Sequence, residues 1–122
     1  MSNEADVYAA FKVYADALNA YDDQGVRDAF VWPLARMTAD GVEIVSNPPA
    51  LPSEMRAKSG WVKSIFEEVD VVAATDTKAH LILRRFQRLR ADGSLIEAGS
   101  TFYAYRKIDQ GWKIFAISGI IL

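Results

Sequence analysis

The stretch LILRRFQRLRADGSLIEAGSTFY, Leu81 to Tyr103, alternates apolar and polar side chains on either side of Asp92-Gly93. An Asp-Gly pair readily supplies the positive φ angles of a two-residue hairpin turn, so the two arms should pair antiparallel and their register follows by counting back. Leu89 is then expected opposite Ile96, Gln87 opposite Ala98, Arg85 opposite Ser100 and Leu83 opposite Phe102 on one face. The other face carries Arg88 against Glu97, Phe86 against Gly99, Arg84 against Thr101, Ile82 against Tyr103 and His80 against Tyr105. Burial of aliphatic surface contributes about 25 cal/mol per Å², which favours the leucine-rich face over the arginine-rich one as the inner face. Leu81, Leu83, Arg85, Gln87 and Leu89 are therefore expected to point inward. Arg85 and Gln87 would then need partners or water, because an unpaired buried charge costs several kcal/mol. A wet cavity meets that need, as does an outward bend that carries both side chains to the rim. A β-bulge in the arm would reverse the parity.

Around this hairpin the apolar spacing stays strand-like. Asp70 to Thr75, Ala79 to Arg90, Leu95 to Ile108 and Trp112 to Ile120 read as four strands of a meander, with turns at Asp76-Thr77-Lys78, Asp92-Gly93 and Asp109-Gln110-Gly111. Upstream the period is helical. Val7, Phe11, Tyr14, Leu18 and Tyr21 lie on one stripe of a helix starting near Asn3. Asp22-Asp23 can cap a short second helix that carries Val26, Ala29 and Phe30 until Pro33 stops it. Ala35 to Ala39 and Val42 to Ser46 flank Asp40-Gly41 as a small hairpin, and Asn47 to Pro52 forms an extended loop. Pro52 suits the first turn of a third helix, whose face is Met55, Val62, Ile65, Phe66 and Val69 and whose end falls near Glu68. Three helices from the N-terminal half must cover one face of the sheet, which gives an α+β fold with helices on one side of a curved, mostly antiparallel mixed sheet.

The chain has 122 residues, 51% hydrophobic and 25% charged, which fits one domain over 1–122 with a real core. A formal net charge of −2 argues against binding nucleic acid by neutralising phosphates. The absence of cysteine excludes disulfides, thiol nucleophiles and thiolate zinc sites. The N-terminal residues lack a basic flank and apolar run, and no apolar stretch approaches the roughly 20 residues that span a bilayer. A cytoplasmic protein with no membrane partner is expected. With one histidine and no carboxylate cluster at ligand spacing, neither a metal nor a cofactor is expected.

Tyr14-Ala15-Asp16-Ala17-Leu18-Asn19-Ala20, then Asp23, Gly25 and Phe30, followed by Arg88 to Ser94, Tyr103 and Gly111-Trp112-Lys113-Ile114, run in an order that resembles the nuclear-transport-factor-2-like superfamily. The likeness is to its SnoaL-like and ketosteroid-isomerase-like members. It implies a cone-shaped, cystatin-like fold in which the sheet and three helices enclose a pocket, often with dimerisation through the sheet. The isomerase chemistry needs a carboxylate base in an apolar pocket, with a tyrosine and a protonated carboxylic acid donating to the developing oxyanion. Tyr14 matches the tyrosine. The base position falls on Thr38 and the acid position on Thr101, or on Ser100 if a bulge shifts the strand, so no carboxyl group stands at either. A hydroxyl cannot take a carbon-bound proton without a stronger base beside it, so that mechanism is not carried over. Where relatives often place histidines on the last strand, this chain has Ala116 and Ser118.

The resulting expectation is a SnoaL-like protein whose pocket takes a small apolar organic molecule with a carbonyl or acidic group. Tyr14, Trp32, Thr38, Trp61, Arg85, Gln87 and Ser118 are the lining candidates, with Arg85 orienting the polar end. Catalysis is left open. An isomerase, cyclase or dehydratase without the usual carboxylates would work by positioning and hydrogen-bond polarisation. The rival expectation is a filled-core dimerisation or protein-binding module. In either case a homodimer is expected, with His80, Arg84, Phe86, Tyr103 and Tyr105 forming the dimer or partner face. Substrate identity is not legible in the residues.

Overall fold

The computed structural model describes residues 2–48 and 51–122, so Pro49 and Ala50 of the expected loop lie outside the described residues. Helix α1 (Asn3–Asn19) begins where the Ser2 hydroxyl accepts from the Ala5 amide at 3.1 Å. Its buried stripe contains Val7, Phe11, Tyr14 and Leu18, as the spacing predicts. Helix α2 (Asp23–Asp28) is capped by Asp22, which accepts from the Gly25 amide at 2.9 Å. A Cβ on Gly25 would stand 2.9 Å from that of Ala17, so the glycine permits the close approach of α2 to α1.

Helix α3 (Pro52–Ser59) is shorter than expected. It stops where Gly60 takes a left-handed φ of 71° and returns its amide to the Arg56 carbonyl at 3.1 Å. Ile65, Phe66 and Val69, expected on this helix, lie instead on strand β3 (Lys63–Ala74). The inward residues of β3 are Ser64, Phe66, Val69 and Val71, with a kink at Glu67-Glu68 where Glu68 has φ 55°. An irregular strand of this kind spaces its inward residues two, three and two apart, which imitates a helical period.

A second correction concerns Pro33. Helix α2 ends before it, because Phe30 already opens strand β1 (Phe30–Thr38) and the Ile114 amide donates to the Ala29 carbonyl at 2.9 Å. Pro33 follows a cis Trp32-Pro33 bond and sits exposed where the ladder is interrupted between Phe30 and Ala35, so its missing N–H leaves no gap in the pairing. Strand β2 (Gly41–Val45) returns through Ala39-Asp40, one residue earlier than expected, with Thr38 opposite Gly41.

Strands β4 (Lys78–Leu89), β5 (Leu95–Ile108) and β6 (Gly111–Ile121) complete a six-stranded sheet in the order β2-β1-β6-β5-β4-β3. Only β1 and β6 pair in parallel. The sheet is curved and does not close, and the fold is α+β with the three helices in one layer. Helix α1 lies against β3, β4 and β6, and α2 packs on α1 and β1. Arg56 of α3 stacks 5.0 Å above the Tyr21 ring in the same layer. Between the layers, Phe11 meets Phe66 edge-on at 5.8 Å, and Tyr14 meets Phe30 edge-on at 5.8 Å. No helix among the described residues is long and apolar enough to cross a membrane.

The hairpin register is correct from Phe86 to Arg88 and wrong on either side of that stretch. Arg88 pairs with Glu97, Gln87 with Ala98 and Phe86 with Gly99 as expected, but Leu83 then faces Thr101, Ile82 faces Phe102, Leu81 faces Tyr103 and His80 faces Ala104. Leu89 faces Leu95 in place of Ile96. Between Leu83 and Phe86, β4 advances three residues while β5 advances two from Thr101 to Gly99, which is a bulge at Arg84-Arg85.

Candidate functional site

The bulge decides which arginine faces the helices. Leu81 and Leu83 are buried as expected, Arg84 and Arg85 are both exposed, and Phe86 is buried again. The side of β4 that faces the helix layer therefore carries Leu81, Leu83, Phe86 and Arg88. Arg85 and Gln87, expected inside, are corrected by this one inserted residue. Arg85 is in solvent, and Gln87 is half-buried on the outer face opposite Ile65 and Ala98. Arg84 reaches Asp70 at 2.6 Å on the outside.

Two hollows meet at Arg88, Thr101 and Ile117. The outer one, about 330 Å³, opens between Arg36, Thr38, Phe86 and Glu97. The inner one, about 90 Å³, is lined by Tyr14, Leu18, Phe30, Met55 and Tyr103. The first is in the range of small-ligand sites, about 300 to 1,000 Å³. The second holds a few atoms, since a water occupies about 30 Å³ of liquid. Gly119, opposite Thr101, lines the outer hollow, and Gly99 on the same face leaves the space that the Phe86 ring fills.

Arg88 is fixed on two sides, by an ion pair to Glu97 on the neighbouring strand and by the Phe86 ring, whose centroid lies 4.7 Å from the guanidinium carbon. Arg36 sits at the mouth, 3.6 Å from Glu43. Deeper in, the Tyr14 and Tyr103 rings meet at 6.0 Å. Burial raises the Tyr14 phenol, against the opposing effects of the Tyr103 hydroxyl and the Arg88 charge. Burial pushes Tyr103 and Tyr105 well above the usual phenol range, and the neighbouring phenol of Tyr14 adds to it. These phenols stay protonated at neutral pH, so Tyr14 and Tyr103, which line the inner hollow, are available as donors to an acceptor there and do not act as bases. Tyr105 Oη and Trp112 Nε1 are buried with no hydrogen-bond partner among the described residues. Among the described residues, no three His, Cys, Asp or Glu side chains are grouped to hold a metal. The chemistry available in the cleft is cation and hydroxyl donation to an acceptor held against aromatic walls.

Comparison with known proteins agrees with this architecture. A family profile described as "NTF2-like protein (DUF6841)" matches residues 3–119. The chain belongs to that NTF2-like family. Among solved structures, a protein of unknown function from the DUF3225 family of Pectobacterium atrosepticum aligns at 22% identity over 97% of this chain and 89% of its own, with a TM-score of 0.65. An NTF2-like protein from Cytophaga hutchinsonii aligns at 12% identity over 100% of both chains, with a TM-score of 0.71. A ketosteroid isomerase-like protein from Erwinia carotovora atroseptica aligns at 16% identity over 99% of this chain and 97% of its own, with a TM-score of 0.69. At these identities the likeness is one of fold. No curated protein matches the sequence.

Within this NTF2-like frame the candidate residues separate. Tyr14 lines the inner hollow and Thr38 the rim of the outer one. Trp32 stacks on Phe30 at 5.5 Å beside a surface groove that includes Arg27 and Lys113. Trp61 is fully buried and fills the core, with its Nε1 donating to the Ser64 hydroxyl at 3.0 Å. Ser118 lies on the outer face between Met37 and Phe102. Of the expected partner face, Phe86, Tyr103 and Tyr105 are buried under the helices, because the bulge brings Leu81 and Leu83 onto the face that they share. His80 and Arg84 remain outside, the His80 ring 5.2 Å from Phe102. Sequence reading missed Arg36 and misplaced Arg88 and Glu97, although the pairing of the last two was already visible in the register.

Proposed function

We propose that this NTF2-like protein binds a small, largely apolar organic molecule in the cleft, with a carbonyl or acidic group at Arg88 and Thr101. The observation that supports this reading is the meeting of the two hollows at those residues, with a donor-lined junction above an aromatic pocket. Any reaction there would run by orientation and by polarising the acceptor, as in a cyclase or dehydratase. Hydroxyls stand at both positions where the isomerase has carboxyls, and the buried phenols are held neutral. The filled-core reading calls for close packing around Tyr14, and the hollow beside it weighs against that.

Thermal shift against a panel of apolar acids and ketones tests the proposal, because a ligand that binds the native state raises its melting temperature. Arg88→Gln is expected to weaken the hits about tenfold or more, the loss of a charge-assisted contact, and Arg85→Gln to leave them unchanged. Equal effects from the two variants would contradict the assignment.

The reading also gives the outer sheet face to a second copy of the chain. Ile82, Phe102 and Phe115 are only half-buried there, and Ala104 and Ala116 between them leave that surface flat. Sedimentation velocity should read twice the mass of one chain, and Phe102→Asp should return it to one. A wild-type protein that sediments as a single chain at micromolar concentration would contradict it.

A further inference from the structure

We infer that the cleft selects a monocarboxylate on an apolar body, and that Glu97 sets its affinity by competing with the ligand for Arg88. The inference rests on the cleft reading above and narrows it to one of its two ligand chemistries. Besides the phenols, the ionisable side chains lining the two hollows are Arg36, Arg88 and Glu97. Two guanidiniums and one carboxylate line the hollows, and Arg36 has its own partner, Glu43, outside the lining at 3.6 Å with the two side chains 41% and 57% exposed, so the lining offers a cation to a ligand at two points. The phenols, kept protonated by burial, add donors and no charge.

A neutral carbonyl would accept ordinary hydrogen bonds from these guanidiniums, whereas a carboxylate accepts the stronger charge-assisted ones. A second carboxylate would meet Glu97 and Glu43, which already hold the two arginines. Shape points the same way. Beyond Arg88 the inner hollow is walled by Leu18, Phe30 and Met55, which suits an apolar body.

Glu97 already occupies part of the Arg88 fork, with the two side chains 34% and 30% exposed. Phe86 fixes the guanidinium from beneath, so an incoming carboxylate meets Arg88 where Glu97 holds it and has to share or displace that partner. Arg36, 41% exposed and only loosely paired with Glu43 at 3.6 Å, offers the compensating charge at the mouth.

The test is isothermal titration of the full chain with phenylacetate, cinnamate and octanoate, each beside its neutral primary amide. In the wild type the acids should bind tighter than the amides. Glu97→Gln should tighten the acids roughly fivefold, the factor expected when a partly exposed ion pair no longer competes, and leave the amides unchanged. Arg36→Gln, which does not disturb the Arg88 wall, should weaken the acids by about three- to fivefold and spare the amides.

Amides binding as well as acids would overturn the inference and leave the cleft reading standing. So would Glu97→Gln weakening both classes alike, since Glu97 would then be only a strut for Arg88. Failure of every acid and every amide to bind the wild type would overturn the cleft reading itself.

Discussion

Replacing Trp61 by alanine is expected to destabilise the protein by about 3–5 kcal/mol, the usual cost of truncating a fully buried aromatic. Trp61 is 0% exposed and lies between the end of α3 and the start of β3. Its ring meets Tyr21 edge-on at 5.4 Å, and the Tyr21 hydroxyl donates to the Val62 carbonyl at 2.5 Å. Its Nε1 supports Ser64, whose amide donates to Asn19 Oδ1 at 2.8 Å and whose carbonyl accepts from Asn19 Nδ2 at 3.0 Å. The substitution would open a cavity and leave the buried Ser64 hydroxyl without its donor, at the corner where α1, the loop and the edge strand are joined. A thermal melt should show the midpoint falling by roughly 10–20 °C. A fall of only about 2 °C, the scale of a surface substitution in a chain of this size, would mean the corner packs differently.

Gly99→Val should cost about 1–3 kcal/mol by overpacking, and it should also abolish ligand binding in the cleft. A Cβ at Gly99 would stand 2.5 Å from Phe86 Cζ and would crowd the Ile120 carbonyl as well. Phe86 is buried and carries the Arg88 guanidinium on its face, so the ring cannot yield without moving the arginine that receives the ligand. Gly119→Ala is the control. Its Cβ would sit 3.6 Å from Thr101 Oγ1, an ordinary contact, and less than about 1 kcal/mol is expected. Denaturant titration of both variants should show the midpoint of Gly99→Val falling at constant m while that of Gly119→Ala stays near wild type. Similar midpoints for the two would contradict the account of the wall.

The regular parts of the chain were legible for physical reasons. The α1 stripe repeats every three or four residues over four apolar positions, with Tyr21 falling just beyond the helix, and the meander is punctuated by Asp-Gly and Gln-Gly turns, so period and breakers agree. The misreadings of β3 and β4 share one cause: strands that carry an extra residue. In β3 the kink at Glu67-Glu68 converts a two-residue period into spacings that a helix also produces, and only the pairing with β4 separates the two readings. In β4 the adjacent Arg84 and Arg85 both remain in water, which keeps two charges out of the interior and puts Phe86 inside. Strict alternation would instead have buried one of those arginines and exposed the phenylalanine. The ion pair of Arg88 with Glu97 lies on the turn side of the bulge, so it survived in the register even though its face was misassigned. Arg36 was out of reach, because it enters the cleft through the parallel pairing of β1 with β6, a long-range contact with no local signal.

Thiol labelling along β4 reads that inserted residue directly, and the cysteine-free chain makes it clean. Single cysteines at positions 83, 84, 85 and 86 should label slow, fast, fast and slow under native conditions, placing Arg88 on the helix side. A strictly alternating pattern, with position 85 protected and position 86 reactive, would put Arg85 in the cleft and contradict the assignment of the site.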